Sequence, residues 1–224
     1  MKLGLSNSIK NRVAAGDWSP SDVSSLIHWY KYDTGISADG EDNIQLWVDQ
    51  EGGNKLIASG GAEESPSYDH GFVKFVEEGD ILEWGTPLSL GTFSIYMRFE
   101  TNDVDDDWLF KGGSSDWIKL HDSTNFRVKI HPTEMHFDIS GISADTKVNL
   151  GVDRASNGDV GVFINNSAQS VASGYTANVA TSTTFDITKV GSPLQTVKIY
   201  EILIFNDVLS SGNKNSLNTY LNTI

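Results

Sequence analysis

Residues 197–221 read VKIYEILIFNDVLSSGNKNSLNTYL, and the opening run Val197–Phe205 is apolar on both faces. Simple alternation puts Val197, Ile199, Leu203 and Phe205 on one side and Tyr200, Ile202 and Ile204 on the other. A strand greasy on both sides belongs inside a sheet that is covered on both sides. The chain then turns at Asn206 and Asp207. Ser210 or Ser211 caps a short helix whose Leu217, Tyr220 and Leu221 share one apolar stripe. A buried strand followed by a helix folded back onto it predicts the closing unit of a single domain.

Working back from that unit, the period-two pattern recurs over residues 72–75, 79–84, 92–99, 108–110, 117–120 and 126–130. It continues over 135–139, 148–152, 160–164, 185–190 and 197–205. Clusters of Gly, Asn, Asp and Ser separate these runs. Ile44, Leu46 and Val48 alternate strictly and form an earlier strand, whereas residues 33–43 read as a loop. Roughly a dozen short strands with little helix predict an all-β, two-sheet antiparallel jelly-roll sandwich with a short C-terminal helix. No composition break divides residues 19–224. Residues 1–18 are small, polar and mildly basic (Lys2, Lys10, Arg12) and read either as an arm that docks on a partner or as a frayed terminus.

Charge and composition narrow the function. A net charge of −14 argues against nucleic acid and anionic membrane as partners, because both select a cationic face. With no cysteine, disulfides and thiolate chemistry are excluded. Neither a signal-peptide core nor an apolar run of membrane-spanning length occurs, so the expectation is a chain made in a cytoplasm without membrane insertion.

The order of the pieces resembles a known group. Pro20, Asp22, Leu26 and Trp29 are similar to the "P-x-D…L-x-x-W" opening of the laminin-G-like group of concanavalin A-like sandwich domains. Trp47-Val48-Asp49-Gln50-Glu51-Gly52-Gly53-Asn54 resembles that group's "W-x-D-x-S-G-x-G-N" turn, with Glu51 in place of Ser. Pro66-Ser67-Tyr68, Val73-Lys74-Phe75, Asp80-Ile81-Leu82 and Phe93-Ser94-Ile95 resemble the segments that follow. Val160–Ile164 with Asn165 resembles the later strand and turn, although Asn166 stands where Gly is usual. The resemblance implies a jelly roll of two curved antiparallel sheets, a scaffold that carries lectins, glycan hydrolases and adhesion modules alike. The short Lys2–Ser8 stretch, rich in Gly, Leu, Ser and Asn, resembles the opening of tailed-bacteriophage virion proteins.

Four groups of side chains are candidates for chemistry. Trp84, Trp108, Trp117 and Tyr175, beside loops or strand ends, are candidate stacking surfaces for sugar rings. Asp103, Asp105 and Asp107 sit in the densest acidic loop and are the candidate ligands for calcium, the one cofactor left open. Glu78, Asp80 and Glu83 spell E-x-D-x-x-E, a pattern that glucanases of this fold use. On a regular strand, however, Glu83 points away from Glu78 and Asp80. His121, His131 and His136 lack zinc spacing.

These features set the functional expectation: a non-enzymatic structural or adhesion protein of a phage virion, as capsid decoration or tail appendage. It would dock to virion proteins, as a homo-oligomer or within a symmetric particle, and present a surface to cell-surface glycans. The alternatives are a lectin-like module outside a virion and a glucanase using Glu78 and Glu83.

Overall fold

The computed structural model describes residues 18–59, 65–69, 71–76, 79–113, 115–191, 194 and 196–224. The expected arm, residues 1–18, lies outside this set except for Trp18. In chain order the strands are β1 (Leu26–Tyr30), β2 (Ile36–Ala38), β3 (Ile44–Val48), β4 (Lys55–Ala58), β5 (Ser67–Tyr68) and β6 (Val73–Phe75). Next come β7 (Ile81–Leu90), β8 (Phe93–Thr101), β9 (Asp105–Lys111), β10 (Trp117–Asp122), β11 (Asn125–Ile130) and β12 (Thr133–Asp138). The series ends with β13 (Val148–Arg154), β14 (Val160–Ile164), β15 (Ser167–Ala168), β16 (Ser170–Val171), β17 (Phe185–Gly191) and β18 (Val197–Phe205), then helix α1 (Ser211–Leu221).

These strands form two antiparallel sheets. The smaller has eight strands in the order β15-β14-β13-β8-β18-β6-β5, with β1 also paired to β18. The larger has ten, in the order β16-β12-β11-β10-β9-β17-β7-β4-β3-β2. The inner faces pack Phe93, Phe99, Phe110, Phe126, Phe137, Phe185, Trp47 and their neighbours into one continuous core. The expected jelly-roll sandwich is the observed architecture.

β18 sits where its composition predicts, between β8 on one edge and β1 and β6 on the other. Its facing differs from simple alternation. The register slips between Ile199 and Glu201. Val197, Ile199, Ile202 and Ile204 therefore all point into the inter-sheet core. Leu203 and Phe205 point out and are roofed by Leu217 and Leu221 of α1, in a second cluster with Val23, Leu26 and Trp29. A β-bulge inserts one residue and reverses the facing beyond it, which period-two reading alone misses. Helix α1 begins at the expected cap, where Ser210 Oγ accepts the N–H of Asn213 at 3.2 Å.

β2 arises within the stretch 33–43 that reads as a loop, because it is three residues long, and β4, four residues long, is not among the strands expected from the sequence. The turn after β3 is held by Asp49. Its buried carboxylate accepts the N–H groups of Trp29, Glu51 and Gly52 at 2.8, 3.0 and 3.0 Å and meets His28 Nδ1 at 2.7 Å. Burial pushes this carboxyl up, but the bonds from His28 and the amides outweigh it and hold it below the ordinary range. Gly52 is required here, since a Cβ would lie 2.2 Å from the Ile27 carbonyl oxygen.

Candidate functional site

On the larger sheet, β9 to β12 turn Leu120, Phe126, Val128 and Phe137 inward. The residues between them therefore face out. Cross-strand register aligns these outward residues in two rows. One runs Trp108, Lys119, Arg127, His136 over β9, β10, β11 and β12. The other runs Glu134, Lys129, Trp117, Lys111, Lys189, Glu83 and extends over β17 to β7.

The first row is tied together by rings and charges. Trp108 meets Trp117 edge-on, with centroids 5.5 Å apart and planes at 83°. The ammonium groups of Lys111 and Lys119 each lie 4.8 Å from the Trp108 centroid. Asp106 Oδ1 receives Lys119 Nζ at 2.6 Å and meets His121 Nδ1 at 2.7 Å. Partial burial pushes the Asp106 carboxyl up, but those two partners outweigh it and hold it below the usual carboxylate range. At the other end, Glu134 Oε1 meets His136 Nε2 at 2.9 Å and lies 3.7 Å from Arg127 Nη1. Arg127 Nε is buried and has no hydrogen-bond partner among the described residues. The His136 ring carries Tyr175 stacked on it, 3.7 Å between centroids and 10° from parallel. Tyr175 is 45% exposed, so its far face is open to solvent.

Of the four aromatics expected as sugar platforms, the structure gathers Trp108, Trp117 and Tyr175 on or beside one face and removes Trp84. Trp84 is 4% exposed and packs in the core against Tyr30 and Phe110. This corrects the expectation: β7 alternates with Leu82 and Trp84 inward, and proximity to a strand end does not expose a ring. Trp117 is itself 8% exposed and contributes mainly by propping Trp108. The residues that sequence reasoning missed are the charged ones between the aromatics: Asp106, Lys111, Lys119, Arg127, Lys129 and Glu134.

The acidic loop does not converge on a cation. Asp107 opposes Leu120 on the core side of β9 and is fully buried, accepting Thr101 Oγ1 at 3.2 Å and the Leu194 N–H at 3.1 Å. Asp103 accepts its neighbour's N–H at Val104. Asp105 is exposed at the start of β9. The triad expected for calcium is thus dispersed by the turn and the strand. Among the described residues no group of three or more His, Asp or Glu side chains is placed to hold a metal ion.

Of the E-x-D-x-x-E residues, the two described, Asp80 and Glu83, are likewise separated. Glu78 lies outside the described residues. Asp80 is buried and accepts the Val76 N–H at 2.6 Å, whereas Glu83 faces out and pairs with Lys189 at 2.8 Å. Two surface cavities lie elsewhere. One of about 540 Å³ runs along α1 between Trp18, Asn215, Thr219 and Tyr220, and one of about 390 Å³ lies beside His28, Gly52 and Thr86.

No protein-family model and no curated protein matches the chain. Solved structures do. A Trypanosoma rangeli sialidase superposes with a TM-score of 0.61 at 13% identity, over 88% of this chain and 33% of that one. The same sialidase in complex with sialic acid gives 0.60 at 11%, over 88% and 33%. The botulinum neurotoxin type G receptor binding domain gives 0.53 at 12%, over 88% and 51%. The chain spans about a third to about a half of the length of these structures. The expectation of a chain without enzymatic activity is corrected by this finding, because the structures it resembles include sialidases, which are enzymes. At these identities the likeness carries the fold and not the activity. It identifies the architecture as a two-sheet β-sandwich consistent with the concanavalin A-like jelly roll.

Proposed function

We propose that the chain is a glycan-binding β-sandwich module whose binding surface is the outer face of β9 to β12, edged by Tyr175. The observation that carries this reading is the Trp108–Lys119–Arg127–His136 row, with Tyr175 stacked at its end. Three strand steps of about 4.8 Å separate Trp108 from His136, so the row is about 14 Å long. A ring can lie on the open face of Tyr175, while Arg127, Glu134 and Lys119 offer donors and acceptors to hydroxyl groups along the row. The shared fold with a sialidase solved in complex with sialic acid fits glycan binding in general. The test is binding of the purified chain to a broad glycan panel, read both for retention and for released sugar. Saturable, selective retention supports the reading, and silence across the panel contradicts it.

The narrower placement, a laminin-G-like protein on a bacteriophage particle, rests on the sequence motifs and on the Lys2–Ser8 stretch. Deleting residues 2–16 and measuring incorporation into particles tests the docking arm. Undiminished incorporation contradicts it.

A further inference from the structure

We infer that the ligand of this face is an acidic glycan, one carrying a carboxylate or sulfate group that docks between Lys111 and Lys129. The inference rests on the glycan-binding reading and adds the charge of the ligand.

The chain is acidic overall, with 16 basic against 30 acidic side chains. Yet Lys111, Lys119, Arg127, Lys129 and Lys189 all face out of one contiguous patch over β9, β10, β11 and β17. Three of these cations have carboxylate partners: Lys119 with Asp106, Arg127 with Glu134 and Lys189 with Glu83. Lys111 and Lys129 have none within 4.0 Å among the described residues. They flank Trp117 as its two cross-strand neighbours, so two strand steps, about 10 Å, separate their backbones. Flexible four-carbon stems bring both ammonium groups within reach of one anion lying over Trp117.

Lys111 also stands directly opposite Lys189. Like charges in that position repel and weaken the pair. An anion bound on the other side of Lys111, over Trp117, offsets that repulsion, and its bonds to the Lys111 and Lys129 ammonium groups are of the charge-assisted, stronger kind. Arg127, next to the stacked His136 and Tyr175, connects this anion site to the ring platform.

The extent of the patch favours a sugar acid over a nucleic acid. Glu134 and Glu83 close the row at its two ends, and the stretch between Lys129 and Lys189 is three strand steps, about 14 Å. A long polyphosphate would run off both ends onto carboxylates and into the field of a chain with net charge −14.

The experiment compares four probes by calorimetry on the full chain: an oligogalacturonate, a sulfated galactan oligosaccharide, a neutral galacto-oligosaccharide and a single-stranded oligodeoxynucleotide. Wild type is set beside K111Q and K129Q, which remove cations that have no carboxylate to leave unpaired. The expected result is that at least one acidic oligosaccharide binds about tenfold or more tightly than the neutral one. Each variant then loses about that factor for the acidic probe only, and added salt weakens the acidic probe selectively. Which acidic probe binds identifies the anion as carboxylate or sulfate. Equal binding of neutral and acidic oligosaccharides, unaffected by the variants, overturns the inference and leaves the glycan reading standing. Binding of the oligodeoxynucleotide with no acidic oligosaccharide bound overturns it in favour of a phosphate polymer. No binding of any glycan overturns both.

Discussion

His136 and Tyr175 lie ring on ring, with centroids 3.7 Å apart and planes within 10° of parallel, at the edge of the larger sheet. His136 is 8% exposed and anchored to Glu134, whereas Tyr175 is 45% exposed, so one ring is the base and the other the platform. Tyr175→Ala is expected to lower affinity for the bound glycan about tenfold while leaving Tm nearly unchanged. Tyr175→Phe, which keeps the ring, should stay within about twofold of wild type. Calorimetry and thermal melts on the same preparations check both halves.

Trp84 and Trp108 separate core from surface. Trp84 fills the space between Tyr30 and Phe110, so Trp84→Ala should destabilise the fold by about 3–5 kcal/mol in urea titration. Trp108 lies outside, beneath two ammonium groups, and Trp108→Ala should cost clearly less. Equal costs would mean that the two rings are not partitioned as described.

Asp107 works as an internal hydrogen-bond acceptor. Asp107→Ala leaves the Thr101 hydroxyl and the Leu194 N–H without this acceptor, and the expected loss is about 1–3 kcal/mol. Because that carboxylate is turned to the core, millimolar calcium should leave Tm unchanged. A calcium-dependent rise that disappears with Asp107→Asn would contradict this account.

Glu201 gives the fold a defined pH dependence. It is fully buried and accepts Trp29 Nε1–H at 2.6 Å and the Tyr32 N–H at 3.0 Å. Burial pushes its carboxyl above the ordinary value of 4.5, against the pull of those bonds. The folded chain therefore holds this proton more tightly than the unfolded chain. The associated stability is fully present below about 4.5 and is lost as pH rises through the raised folded value. Tm measured against pH should fall over that window in wild type and fall less in Glu201→Gln. Parallel profiles would contradict the assignment.

Much of the fold was legible in the chain because burial writes itself as alternation. The bounds of β14 and β18 and the Ser210 cap of α1 follow directly from residue pattern. The facing of Leu203 was not legible, because a bulge at Tyr200 depends on pairing with β8 and leaves no local mark. The site was half legible. Lys119, Arg127 and Lys129 alternate with apolar neighbours, so their outward facing was readable. Their union with Trp108 and Tyr175 was not, since it depends on which strands adjoin and in what register. The net charge could not show this patch, because it sums over the whole chain, whereas here five cations share one face with three carboxylates, those of Asp106, Glu134 and Glu83.

The most direct test of the central claim is the indole N–H region of the NMR spectrum, recorded as the glycan selected from the panel is titrated in. The account predicts that the Trp108 and Trp117 signals shift. Trp29 and Trp47, whose N–H groups are bonded to Glu201 and to the Lys31 carbonyl, should hold still. Shifts confined to Trp18, which lines the cavity along α1, and Trp29, which packs against Tyr220 of that cavity, would place the ligand on the other sheet and contradict it.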